Sequence, residues 1–591
     1  MFNVYNCLIL HRALVVLFCS AVSVCVLAET SSQTNVDFTW GVKIPVADGT
    51  LLNGTLYRPA NSDGQRLPTI VTITPYISDR YHPDAQYFAR NGFVFLAVDT
   101  RGRGNSGGKY KPLDVEDGTD GRDIVQWIAT QSWSNGKVGM RGGSYGGYNQ
   151  WATARYFPEN LTTIVPIAAP YHGVDFPTAH NMHSPYTIRW LTLTSGVTPQ
   201  NNVFGDEAFW RQKILEYHTS GIAFKNLDKL VGNLSPTFQQ WTNRPFGSWE
   251  DQVPSPEQLA KLNLPILTIT GYYDGDQPGA MQYYREHMRY GSERSKKKHY
   301  LIFGPWDHSG TRMPHQEFGG YKFGDKMMFD ALELDKDWYR WTMGDGKRPD
   351  FIKDRITYFV AGNNEWKSAR SLEAISDREL ILYLGADRAH HDVYRSGVLG
   401  SPPDTQRQVS EYVYDPLDTR KAERGDAENY ITDQIEVTHT DGDGLIFHST
   451  PFTQATEITG FIRLDTWLEM DVPDTDIVAV LYEIRADGSS VALTSGAVRV
   501  RYRDGNQEHF MTPGKVEHVV FDDFTFFSRL AAKGSRLRLF LRPANGLNDQ
   551  RNYNAKKPVI EQTKADAQTA TVRLHHSDQY PSRLLLPVVS R

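Results

Sequence analysis

The sequence predicts an α/β domain on a parallel sheet, broken by a helical insertion and followed by a separate all-β domain. Three observations predict it. Buried-strand patterns alternate with helix-like stretches over residues 69–168. That rhythm stops over residues 171–256 and returns at 265–270 and 300–303. Beyond residue 350 the apolar positions alternate as in half-buried strands. A chain of 591 residues is also too long for one ordinary core, so two or three packed units are expected.

The elements follow in order. Residues 48–57 read as a β-hairpin with alternating apolar positions. Buried strands are expected at 69–74, 94–99, 138–141 and 164–168. Between them, residues 121–129 carry Ile124, Val125 and Ile128 on one helical face. Strand, helix, strand, helix implies a parallel sheet covered on both sides. The first part of this domain is therefore placed at residues 29–170.

Residues 171–256 are rich in Trp, Phe and His and have helix-length pieces without buried-strand runs, which fits a helical cap over the end of the sheet. The domain resumes over 257–349, with strands at 265–270 and 300–303 and an amphipathic stretch at 326–343. Residues 350–591 read as a two-sheet sandwich or jelly roll, with strands at 355–360, 379–384, 460–468, 477–484 and 536–541. Asp487-Gly488 and Asp504-Gly505 supply turns there.

Composition excludes several classes. The chain is 40% hydrophobic, 12% aromatic and 22% charged, with a formal net charge of -6, so nothing electrostatic calls for nucleic acid. Lys296-Lys297-Lys298, the one basic cluster, reads as a solvated turn. An apolar run over residues 13–27 follows His11 and Arg12 and ends in Val26-Leu27-Ala28. It is short for a membrane span, and residues 1–28 read as a cleaved export signal, giving a secreted or periplasmic protein with no stable membrane insertion afterwards. All three cysteines (Cys7, Cys19, Cys25) lie within it, so the mature chain has neither disulfides nor a thiolate metal site. Asp441-Gly442-Asp443-Gly444 lacks the later carboxylate of a calcium loop and reads as a β-turn, so no metal site is expected.

The chemistry is concentrated at a few positions. The strand at 138–141 runs into Gly142-Gly143-Ser144-Tyr145-Gly146, and a helix-compatible stretch follows. G-x-S-x-G between a strand and a helix is a sharp turn that exposes the serine hydroxyl and aims the positive helix end at it. Serine needs a positioned base, and in such a domain the partners arrive in the order Ser, Asp, His after later strands. The first returning strand leads into Asp274-Gly275-Asp276, the second into Asp307-His308. His308 is the only histidine directly after a late strand of this domain. Asp274 is nearer its strand end than Asp276, and Asp307 is too close to His308 in sequence to orient it. An oxyanion donor is expected after the strand at 69–74, where Tyr76 stands, with the Tyr145 amide as companion. On these grounds alone Tyr76 reads equally well as a packing tyrosine.

With these residues assembled, the chain resembles the cocaine-esterase and X-Pro dipeptidyl-peptidase group of hydrolases, CocE/NonD. The resemblance rests on Thr74-Pro75-Tyr76, Asp99-Thr100-Arg101-Gly102-Arg103-Gly104, residues 131–140 and 142–147, Pro473-Asp474-Thr475-Asp476, Asn552-Tyr553-Asn554 and Pro581-Ser582-Arg583-Leu584. It implies an α/β-hydrolase domain with a helical cap and a C-terminal jelly roll of galactose-binding-like type. It also implies a triad of Ser144, Asp274 and His308, an oxyanion role for Tyr76, and an acyl-enzyme route without cofactor.

Relatives that prefer α-amino acyl groups use clustered carboxylates near the triad. Here Asp276 fills one such place, but Gln277 follows it, and the early cap reads Pro177-Thr178-Ala179-His180-Asn181, so the cluster looks incomplete. The leading expectation is a carboxylic-ester hydrolase or β-lactam-type acylase acting on a small or medium ester or amide. A dipeptide-releasing peptidase is the alternative, and a catalytically silent glycan- or surface-binding protein the remote one. Oligomerisation is compatible with the sequence.

Overall fold

A computed structural model describes residues 35–386, 392–402, 409–425 and 427–590. The expected export signal lies outside the described residues. Among the described residues no helix is long and apolar enough to cross a membrane.

The first domain is built on a ten-stranded sheet. An antiparallel pair, Val36–Pro45 and Leu51–Pro59, opens it, joined by the turn around Gly49. Seven strands then run parallel across the middle, in the order Val94–Asp99, Leu67–Thr74, Ser134–Gly143, Leu161–Ile167, Ile266–Tyr273, His299–Asp307 and Ile356–Val360. Glu365–Ala369 closes the far edge antiparallel to its neighbour. Strands buried on both faces read as unbroken apolar runs, and Val94–Asp99 is buried at every position.

The helices Val115–Ala129 and Tyr145–Ala154 cover one face, and His82–Arg90 and Ala331–Met343 the other. The first begins with a capping box at Asp114 and Asp117, which satisfies two otherwise unpaired amides.

One expectation is corrected. Residues 355–360 were assigned to the C-terminal domain beginning at 350, but Ile356–Val360 lies in the first sheet, parallel to His299–Asp307 in the register Leu301↔Ile356. The physical reason is in the residues. Ile356–Val360 is buried throughout instead of alternating, and the helix Ala331–Met343 before it completes one more strand–helix–strand unit.

Residues 171–256 cross the end of the sheet with helices Tyr186–Leu193, Glu207–Ser220 and Pro236–Thr242 and a small hairpin, Thr178–Ala179 with Met182–His183. Its core is aromatic: Trp190, Trp210, Phe224, Phe238, Trp241 and Trp249 pack in one cluster. His172 is buried between the rings of Tyr148 and Trp249, and neither ring nitrogen has a partner among the described residues.

Beyond Ala369 the chain forms an all-β domain whose strands join in one thirteen-stranded network. At one end of that network Asp476–Ile484 pairs with Ser490–Arg499 on one side and Arg536–Pro543 on the other. The motif at 473–476 becomes a buried ion-pair network, with Arg499 on Asp476 and Arg501 on Asp474, bridged by Asn552.

Candidate active site

The strand Ser134–Gly143 and the helix Tyr145–Ala154 meet at Ser144, whose φ of 59° and ψ of -124° make it the elbow between them. A side chain rarely adopts such a backbone, and where one does the surroundings must hold it. Here the Ser144 amide donates to the Ile167 carbonyl at 2.9 Å, and its own carbonyl accepts from Gly147 and Tyr148. Gly147 is required for close approach: a Cβ there would sit 2.8 Å from the Ile167 oxygen. The Tyr145 amide is the first of the helix, where no carbonyl of an earlier turn is in place to accept it. The Tyr145 side chain turns away, donating to Asp117 at 2.7 Å and accepting from the Leu113 amide at 3.0 Å.

Sheet register brings Asp274 and His308 together. Ile266–Tyr273 and His299–Asp307 are parallel neighbours, and their last Cα partners are Tyr273 and Asp307. Asp274 and His308, each the next residue, therefore leave the sheet side by side. His308 Nδ1 lies 2.8 Å from Asp274 Oδ1 and 3.7 Å from Asp276 Oδ2. The Asp276 amide donates to the same Asp274 oxygen at 3.0 Å. Burial works against a charged His308, but the Asp274 and Asp276 carboxylates outweigh it and raise its pKa above the ordinary imidazole value. Burial pushes the Asp276 carboxyl up to about 7, with the His308 and Arg312 charges holding it back and Asp274 adding to the rise.

Tyr76 comes two residues after the strand Leu67–Thr74. Its hydroxyl oxygen accepts from the Trp190 indole at 2.9 Å. Burial pushes the phenol up to about 12, so it remains a proton donor. Arg103 is fully buried and donates to the Pro75 carbonyl at 2.8 Å and the Thr194 carbonyl at 2.7 Å, tying the Tyr76 loop to the helical segment above.

Ser144, Tyr76, Tyr145, Asp276 and His308 face one cavity of about 590 Å³, and Asp274 stands behind His308. All the candidate residues named from the sequence are thus brought together. Three groups of lining residues were missed. Asp175 reaches the wall holding the Tyr171 amide at 2.8 Å and the Gly279 amide, and burial, then the neighbouring Asp276 charge, keep its carboxyl well above the usual range. Trp190 and His180 come from the helical segment, signalled by its richness in Trp and His and, for His180, by its place in the early-cap stretch 177–181. Ala544, Asn548 and Gln550 come from the C-terminal domain, and no local pattern announces a contact of such sequence separation.

Asp274, Asp276 and His308 also lie close enough for three ligand atoms to share an ion. The Asp274–His308 bond already uses one lone pair of that set, and only three donors converge. The arrangement is that of a charge-oriented base and not of a closed metal cage.

The fold and this site define a serine hydrolase. Residues 48–310 match the family model described as X-Pro dipeptidyl-peptidase (S15 family), and residues 352–585 match that of the X-Pro dipeptidyl-peptidase C-terminal non-catalytic domain. The chain is 26% identical over 585 residues to the cocaine esterase of Rhodococcus sp. (strain MB1 Bresler), covering 93% of this chain and 98% of that one. Two solved structures share the fold. An α-amino acid ester hydrolase superposes with a TM-score of 0.81 at 21% identity, over 96% of this chain and 100% of that one. An aminopeptidase from a marine-sediment Thaumarchaeota archaeon has a TM-score of 0.79 at 18% identity, over 94% and 97%. The chain belongs to the CocE/NonD family of hydrolases.

Proposed function

We propose that the chain cleaves carboxylic esters or amides through an acyl-enzyme on Ser144. The observation that carries the reading is the 2.8 Å bond between Asp274 and His308 at a cavity into which the strained Ser144 elbow opens. Ser144 Oγ attacks the carbonyl carbon as its proton passes to the neutral His308 imidazole. The oxyanion accepts hydrogen bonds from the Tyr76 hydroxyl and the Tyr145 amide. Collapse breaks the bond to the leaving alcohol or amine, which takes the proton from His308. Water then attacks the acyl group by the same route, and no cofactor enters the scheme.

Because Trp190 can only donate, the Tyr76 oxygen accepts from it and the Tyr76 proton is left for the substrate side. Asp276 faces the incoming acyl group and is assigned to substrate binding. A second reading, release of N-terminal dipeptides, draws on Asp175 and Asp276 together, two acids on one wall that suit a substrate ammonium. Export after cleavage at Ala28, to the periplasm or beyond, belongs to the same proposal and is tested by sequencing the mature N-terminus.

The functional test is intact-mass labelling with a fluorophosphonate, wild type beside Ser144→Ala, followed by p-nitrophenyl esters and dipeptidyl anilides. One adduct on the wild type and none on the variant is expected, with ester turnover exceeding anilide turnover. A folded wild type that takes no adduct and turns over neither substrate class overturns the reading.

A further inference from the structure

The cavity contains a second Asp–His pair, built across a domain junction. His180 lines the cavity from the tip of the hairpin formed by Thr178–Ala179 and Met182–His183. Its Nδ1 is hydrogen-bonded to Oδ2 of Asp523, which lies between the strands Glu517–Phe521 and Phe527–Ala531 of the C-terminal domain. The two hairpin-tip residues, His180 and Asn181, have φ of 54° and 58°, the left-handed backbone of a primed two-residue turn. Glycine takes this conformation freely and larger residues rarely, so a histidine there has to be held.

Three contacts hold it, all to the C-terminal domain. Arg499 donates to the Asn181 carbonyl at 2.9 Å, Gln550 accepts from the His183 amide at 3.1 Å, and Asp523 takes the His180 ring. The ring is thereby fixed with Nδ1 turned to Asp523. Its Nε2 has no hydrogen-bond partner among the described residues and is not sealed from solvent. The Asp523 carboxylate outweighs the effect of burial and raises the pKa of the imidazole, so in weakly acid solution Nε2 carries a proton and donates.

We propose that His180, oriented by Asp523, is a specificity-determining residue that donates a hydrogen bond to a carbonyl oxygen of the substrate remote from the bond being cleaved. A neutral acceptor fits better than a carboxylate. Asp523 already compensates the imidazolium, so a carboxylate would give up its hydration and meet no uncompensated charge in return. The substrate class is therefore an ester or amide bearing a second amide or ester group, one that leaves the acidic wall undisturbed. The inference rests on the reading of this cavity as the substrate site.

The test is calorimetric binding at pH 6 to the full chain carrying Ser144→Ala. The ligands are p-nitrophenyl ω-acetamidoalkanoates of increasing chain length, each beside a p-nitrophenyl alkanoate of matched length. At one chain length the acetamido ester should bind about tenfold tighter than its match, the size of one hydrogen bond to a charged donor. Adding His180→Phe should abolish that preference, and Asp523→Asn should weaken it. His180→Gln, which keeps a neutral donor, should retain part of it and guards against a His180→Phe variant that fails to fold. An unchanged preference in both His180 variants overturns the proposal. So does tighter binding of an ester ending in a carboxylate, or no binding of any ester. Hydrolysis of the alkanoates by the wild type is scored separately. Its absence would sink the hydrolase reading and leave the binding result standing.

Discussion

Trp190 donates its indole N–H to the hydroxyl oxygen of Tyr76 at 2.9 Å, joining the helical segment to the loop after the strand Leu67–Thr74. Tyr76 is consequently both half-buried and aimed, which a hydroxyl needs if it is to serve a charge that exists only in the transition state. Tyr76→Phe should lower kcat by about 10²–10³ with little change in KM. Trp190→Phe should cost about tenfold in kcat, because the hydroxyl remains and only its aim is lost. Steady-state kinetics on one p-nitrophenyl ester checks both. A Tyr76→Phe loss confined to KM would remove Tyr76 from the oxyanion site.

Asp274 meets His308 through a single oxygen, while its other carboxylate oxygen is buried and has no partner among the described residues. Asp274→Asn keeps the shape and removes the charge. A fall in kcat of about 10⁴ is expected. Fluorophosphonate labelling of Ser144 should slow in parallel, and labelling at the wild-type rate would remove Asp274 from the triad.

As the proposed base, His308 acts only when neutral, so activity should rise as pH passes upward through its pKa. Asp274 and Asp276 raise that pKa above the ordinary value of 6.5, which places the acid limb of kcat/KM above pH 6.5. Asp276→Asn removes one of the two negative charges, lowers the His308 pKa and moves the limb to lower pH. A pH–rate profile of the two proteins decides it, and a limb that stays put or moves upward contradicts the assignment.

His172 bears on stability instead of catalysis. Burial, and then the Arg244 charge, bring its pKa down to about 3, so the folded chain binds that proton less readily than the unfolded chain. The sign follows: stability is intact above pH 6.5 and is lost as pH falls from there towards 3. Between pH 7 and pH 5 this single group accounts for about 2 kcal/mol. His172→Phe, which fits between Tyr148 and Trp249, should remove that share of the acid loss. Urea unfolding at the two pH values measures it, and an unaltered pH dependence would rule His172 out as the source.

Much of this site was legible because it obeys strand logic. Ser144, Asp274 and His308 each stand at the C-terminal end of a strand whose apolar run can be seen in sequence, and parallel register then places them together. Ile356–Val360 was misplaced because Thr357 and Tyr358 interrupt its apolar run, although all five residues are buried. Asp175 and His180 were beyond local reading for a different reason. Each owes its position to a partner far away in the chain, Gly279 for one and Asp523 for the other, and no periodicity records such a pairing.

Ala544, Asn548 and Gln550 form a wall of the cavity from within the C-terminal domain. The helical segment is also fastened to that domain, through His218 on the Leu547 carbonyl at 2.8 Å and Tyr217 on the Arg551 amide at 3.1 Å. A chain trimmed to the parallel-sheet half would keep Ser144, Asp274 and His308, the proposed triad, and lose a wall of the cavity they face. Miniaturising this enzyme, or grafting its hydrolytic half onto another protein, therefore means carrying the β domain along, because the two halves are a single tool with one handle.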